Sequence, residues 1–123
     1  MGSDSKIKSF RDLNAWKEGH KLVLMIYEIT KKFPQSETFR LTNQVRSAVV
    51  SITSNIAEGF SRNTSKEKYQ FYSIAHGSLS ELQNQLFIAK DVGYLDNESF
   101  NKVFDQTNIV SRLLNGLKRI KYQ

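Results

Sequence analysis

Four stretches of the chain repeat apolar residues at steps of three and four, the spacing of one helix face, and none alternates residue by residue as a half-buried strand does. The stretch from Gln44 to Arg62 organises the rest. Val45, Val49, Ile52, Ile56 and Phe60 make an apolar seam, while Ser47, Ser51, Ser54, Asn55 and Glu58 gather on the other faces. Ala48, Ser51, Ser54 and Ala57 are small enough to let a neighbouring backbone come close. Arg46, Ser51, Asn55 and Glu58, together with Glu81 further along, are the polar groups expected to bond to another helix or another subunit. A tightly packed core helix would account for the same pattern.

Upstream, Asp12 reads as an N-cap before a stripe of Leu13, Trp16, His20, Val23 and Tyr27, and Pro34 stops the helix after Phe33. A second stripe, Leu22, Ile26, Ile29 and Phe33, widens the apolar arc beyond what one neighbour requires. Pro34 to Leu41 reads as a loop and Thr42 as the cap of the second helix. Downstream, Ser65 is expected to cap a third helix running to Val92 with Tyr72, Ala75, Leu79, Leu82, Leu86 and Ala89 on its seam. That helix would be roughly 42 Å long at about 1.5 Å per residue. It too has a second stripe, Phe71, Ile74, Ser78, Ile88 and Val92, and Gly93 closes it. Asp96 or Asn97 starts a fourth helix on Phe100, Val103, Thr107, Val110, Leu114 and Leu117, reaching almost to Gln123.

Four helices of about 20 to 28 residues with short connections predict an all-α fold, an up-down-up-down antiparallel four-helix bundle. The 123 residues make one domain, 1–123, with 1–9 a flexible N-terminal arm. Uncovered second stripes on two helices predict a homo-oligomer. No apolar run is long enough to cross a bilayer, and the first residues are too polar for a secretion signal, which places the protein in the cytoplasm and away from membranes. Asn63-Thr64-Ser65 and Asn97-Glu98-Ser99 then read as helix starts.

The zero cysteine count excludes disulfides and thiolate chemistry. His20 and His76 lie on different helices without a carboxylate at metal-ligand spacing, and no phosphate loop or nucleophile motif occurs. The expectation is no catalytic residue, no metal and no cofactor; Glu58 and Glu81 as a buried carboxylate pair is the one enzymatic alternative. Net charge is +6 and the pI near 9.6, which favours an anionic partner. The antiparallel arrangement brings the start of helix one, the end of helix two, the start of helix three and the end of helix four together. That half holds twelve of the eighteen basic residues and only five of the twelve acids. Arg11, Lys17, Arg62, Lys66, Lys68, Arg112, Lys118, Arg119 and Lys121 are its candidate phosphate contacts. A solvated face with basic groups complementing helix ends would carry the same residues.

Phe10-x-x-Leu13-x-x-Trp16, Phe33-Pro34-x-x-Glu37, Leu41-Thr42-x-Gln44-x-Arg46-x-Ala48, Ser51-Ile52-x-Ser54-Asn55-Ile56-Ala57-Glu58-Gly59, Ala75-x-Gly77-Ser78-x-x-Glu81-Leu82 and Gly93-Tyr94-Leu95 resemble the 23S rRNA intervening-sequence protein family. The resemblance implies a bacterial four-helix bundle assembled as a homopentameric ring. It also implies kinship with the accessory protein of diversity-generating retroelements, which binds nucleic acid and a reverse transcriptase. Members often have arginine where this chain has Ser47 and proline where it has Thr53. The first change removes a potential phosphate contact, and the second lets helix two keep its backbone hydrogen bond. Two function classes stay open: a nucleic-acid-binding assembly, with RNA preferred to duplex DNA, and a scaffold that docks another protein such as a reverse transcriptase.

Overall fold

The computed structural model describes residues 6–121. Its helices are α1 (Asn14–Thr30), α2 (Asn43–Phe60), α3 (Ser65–Asp91) and α4 (Asn97–Arg119), and there is no strand among the described residues. Cross-helix contacts show the direction of each neighbour. Tyr27 of α1 meets Arg46 of α2 and Gly19 meets Thr53, so α2 descends as α1 rises. Gly59 lies against Tyr72, and Ser51 bonds to Ser78. Tyr69 faces Lys118, His76 faces Ser111 and Gln83 faces Thr107. Gln106 donates to Glu18, which closes the cycle of four antiparallel neighbours.

The seams of α2, α3 and α4 lie where periodicity puts them. Val45, Val49, Ile52 and Ile56 are buried, as are Tyr72, Ala75, Leu79, Leu82, Leu86 and Ala89 on α3 and Phe100, Val103, Thr107, Val110 and Leu114 on α4, with Phe60 and Leu117 half-buried at the ends of their seams. On α1 the two stripes change rank. The core takes Leu22 and Ile26 with Ala15, Gly19, Thr30 and Phe33, while His20 and Tyr27 are exposed. The reason is size: a Cβ on Gly19 would sit 3.0 Å from the Thr53 methyl, so the bare backbone is what lets α2 approach. His20 instead stacks on Trp16, ring centroids 4.7 Å apart, over the shoulder of the core.

Helix starts differ from expectation at three places. Asp12 is not the cap of α1; its carboxylate accepts from the backbone of Lys8 and Ser9, and Ser9 caps a short 3-10 turn, Phe10–Asp12. These bonds hold that carboxyl below its ordinary range and tie the chain down from Lys8 onward; of the rest of the expected arm, Lys6 and Ile7 are exposed and in neither helix nor strand, and residues 1–5 lie outside the described residues. Thr42 is buried and helical rather than a cap, because a 3-10 turn (Gln35–Glu37) and a π-turn (Thr38–Thr42) lead straight into α2. Thr64, not Ser65, caps α3 by accepting from Glu67 N–H at 3.1 Å. Asp96 caps α4 as expected, accepting from Ser99 N–H at 2.7 Å. The end of α3 is a paired motif: Gly93 N–H donates to Lys90 and Tyr94 N–H to Ala89, with Gly93 at φ +91, where glycine alone is unstrained. α2 runs unbroken through Thr53, whose hydroxyl bonds back to Val50 C=O.

Candidate nucleic-acid interface

The basic half forms where the end of α2 hands over to the start of α3. Gly59 permits this junction, since its missing side chain leaves room for Tyr72 and Phe71. α2 ends with unpaired carbonyls, as every helix does. Lys68 answers them: its Nζ donates to Phe60 C=O at 2.7 Å and Gly59 C=O at 3.4 Å and lies 5.4 Å from the centre of the Phe60 ring. Only 8% of Lys68 is exposed, and burial pushes its amine below the usual lysine range. Lys68 is therefore a helix-closing group, which corrects its assignment as a phosphate contact.

Arg62 is likewise committed inside the subunit. Its guanidinium lies over the Phe71 ring at 4.6 Å and bonds to the Glu58 carboxylate at 2.6 Å. Half-exposed, that pair is worth little to stability, but it offsets much of the charge Arg62 offers. Lys118 is half-buried, 5.5 Å from the Tyr69 ring centre and 3.2 Å from His76 Nδ1. Arg11, Lys17, Lys66, Arg112, Arg119 and Lys121 remain exposed. They do not crowd onto one tip. Arg112 follows Ser111, whose partner His76 lies eleven residues into α3, about 16 Å from its start. The positive region covers a half of the bundle.

The polar contacts expected between helices divide. Arg46 Nε donates to Thr30 Oγ1 across α1 and α2 at 2.8 Å, and Ser51 joins α2 to α3 through the Ser78 hydroxyl at 2.8 Å. Asn55 bonds within its own helix, to the carbonyl and hydroxyl of Ser51, and so steadies the serine instead of crossing. Glu58 and Glu81 are exposed, the first paired to Arg62 and the second 3.5 Å from the Gln85 amide, so they form no buried carboxylate pair. Among the described residues no cluster of three or more histidine or acidic side chains is placed to hold a metal.

Sequence reasoning missed the group around His76. An ammonium only donates, so His76 Nδ1 accepts from Lys118 and the ring proton sits on Nε2, donating to Ser111 Oγ at 2.9 Å. Burial, then the Lys118 charge, lowers the ring's affinity for a second proton below its ordinary 6.5. The unfolded chain takes that proton first, so stability is complete above 6.5 and declines as pH falls toward the folded value. Melting temperatures should drop between pH 7.5 and 5.5, and His76→Gln should flatten part of that decline. An identical pH profile in the variant would contradict this. Nothing in the sequence joins positions 76, 111 and 118 except the register of two antiparallel helices.

The profile of the 23S rRNA-intervening sequence proteins matches residues 11–116. The chain belongs to that family. In structure it is similar to a protein of unknown function from the S23 ribosomal protein family of Bacteroides thetaiotaomicron VPI-5482, with a TM-score of 0.79 at 16% identity. The superposition covers 86% of this chain and 96% of that one, and at such identity it speaks to the fold alone. No curated protein matches the sequence. The family match spans all four helices apart from the last residues of α4. No described helix is long and apolar enough to cross a membrane.

Proposed function

We propose that this protein is a non-catalytic, self-associating member of its family that works in the cytoplasm and binds RNA through its basic half. The observation that carries the reading is the set of exposed cations, Arg11, Lys17, Lys66, Arg112, Arg119 and Lys121, drawn from the 3-10 turn, α1, α3, α4 and the residues after it onto the half poorest in acids. Such a surface follows a phosphate backbone without reading bases. A homopentameric ring, which the family resemblance implies, would repeat it around an axis and multiply weak contacts.

Titration of a labelled large-subunit ribosomal RNA fragment tests this. With three or more phosphates neutralised, affinity should fall at least tenfold between about 50 and 200 mM salt. Binding indifferent to salt, or absent at the lower value, would overturn it. A second reading, a scaffold docking a protein such as a reverse transcriptase, is favoured by the apolar side chains left in water, Leu24, Phe39, Ile74 and Val92. Complex formation with such a partner that survives high salt would support it.

A further inference from the structure

Tyr69 is 52% exposed, and it stands inside the basic half, one turn after Lys66 on α3 and opposite Lys118 on α4. The buried seam of α3 passes through Lys68 and Tyr72 on either side of it, so the ring sits at the edge of the core and not within it. Lys118 Nζ lies over the ring, 5.5 Å from its centre, and is held there by its bond to His76 Nδ1 at 3.2 Å. That bond uses one ammonium proton and leaves the others for a further acceptor.

Along the same face of α3 is an open hollow of about 540 Å³, lined by Lys66, Tyr69, Gln70, Ser73 and Ile74. These positions step by three and four, so they form one strip of a single helix. No acid lines it. Glu67, the nearest acid along the chain, is turned to the Thr64 hydroxyl, which donates to it at 3.1 Å. The strip therefore offers a flat ring and an isoleucine flanked by cations, with the amide of Gln70 and the hydroxyl of Ser73 beside them. We infer that a base of single-stranded RNA stacks on Tyr69 in this hollow, with its flanking phosphates against Lys66 and Lys118.

A nucleotide joins a flat ring to an anion in one short unit, and Tyr69 with its two lysines is the matching pair. A protein surface laid on Tyr69 and Ile74 would instead take Lys66 and Lys118 out of water, at a cost unless it brought acids of its own. The inference rests on the RNA reading and names the form of RNA. Paired bases are already stacked on one another inside a duplex, so only an unpaired stretch can lay a base on the ring. Every base has such a face, and stacking adds affinity without choosing a sequence. That agrees with a surface whose other contacts follow phosphates.

A labelled oligouridine strand and a blunt RNA duplex with the same number of phosphates, titrated at low salt, test this. Tyr69→Ala should weaken strand binding by about 5- to 100-fold, the loss of one stacked base, with the salt slope unchanged because no phosphate contact is removed. Duplex binding should stay as it was, and Tyr69→Phe, which keeps the ring, should bind the strand like the parent. Should the alanine variant fail to fold, Tyr69→Trp carries the test: its emission above the parent's should be quenched by the strand and not by the duplex, and unquenched emission would overturn the inference. Strand binding unchanged in Tyr69→Ala would overturn stacking and leave phosphate binding by the basic half standing. Equal losses for strand and duplex would overturn it as well. A parent that binds neither RNA at low salt would end both readings, and unchanged strand binding with the loss of a protein partner would give the hollow to that protein.

Discussion

Gly59→Ala will destabilise the protein by about 2 to 3 kcal/mol, toward the upper end of what one surplus methyl costs in a packed core. The new Cβ would lie 2.6 and 2.9 Å from ring carbons of Tyr72 and 3.1 Å from Phe71 Cβ. Tyr72 has no free direction to move, being 1% exposed. Relief must come from separating α2 and α3, and that would also draw the Gly59 and Phe60 carbonyls away from Lys68. Gly77 supplies the contrast. A Cβ there meets nothing within 4 Å, so Gly77→Ala should stabilise the helix by about 0.4 to 1 kcal/mol. Urea midpoints of the two variants should move in opposite directions, and a Gly59→Ala midpoint equal to the parent's would refute the packing argument.

Reversing Lys66, Arg112 and Arg119 to Glu together should lower RNA affinity by more than tenfold at low salt and flatten the salt slope by about three, one per lost phosphate contact. All three side chains are exposed, so the fold should persist. Lys68→Met is the informative control. It removes a formal charge from the same region, yet that amine is turned inward on two carbonyls, so stability should fall by about 1 to 3 kcal/mol while the salt slope stays put. Reversal at Lys90, on the other half of the bundle, should change binding little. Should Lys68→Met flatten the slope as much as a surface reversal does, its amine would be reaching RNA after all.

Periodicity was a sound guide wherever one stripe of a helix runs unbroken and outranks any other. The seams of α2, α3 and α4 were legible because each turn adds another residue to the same face, and so were the Gly93 closure and the Asp96 cap. α1 was harder because its two stripes are equally apolar, and periodicity cannot say which meets a partner. Tertiary packing chose the stripe containing Gly19, since that glycine allows the closest approach. The cap of α3 was displaced by one residue, from Ser65 to Thr64, because capping side chains stand side by side there, whereas α1 starts after Leu13 with no side-chain cap because Asp12 closes the 3-10 turn before it.

The sequence by itself determined the number of helices, the apolar seams of three of them, the excess of positive charge and the family. Each of these is a sum over many residues, so no single contact can reverse it. Only the tertiary structure decided what individual charges do. Lys66 and Lys68 look alike in the chain, but two residues on a helix are about 200° apart, so one faces water and the other closes α2. Glu58 and Arg62 offset one another across the end of α2, where the Phe71 ring of α3 holds the guanidinium in place. The exposure of Phe39 and the cleft between α1 and the start of α4 were hidden more completely. A lone aromatic in a connecting segment has no period to betray it, and the cleft is assembled from α1 and the start of α4, far apart in the chain.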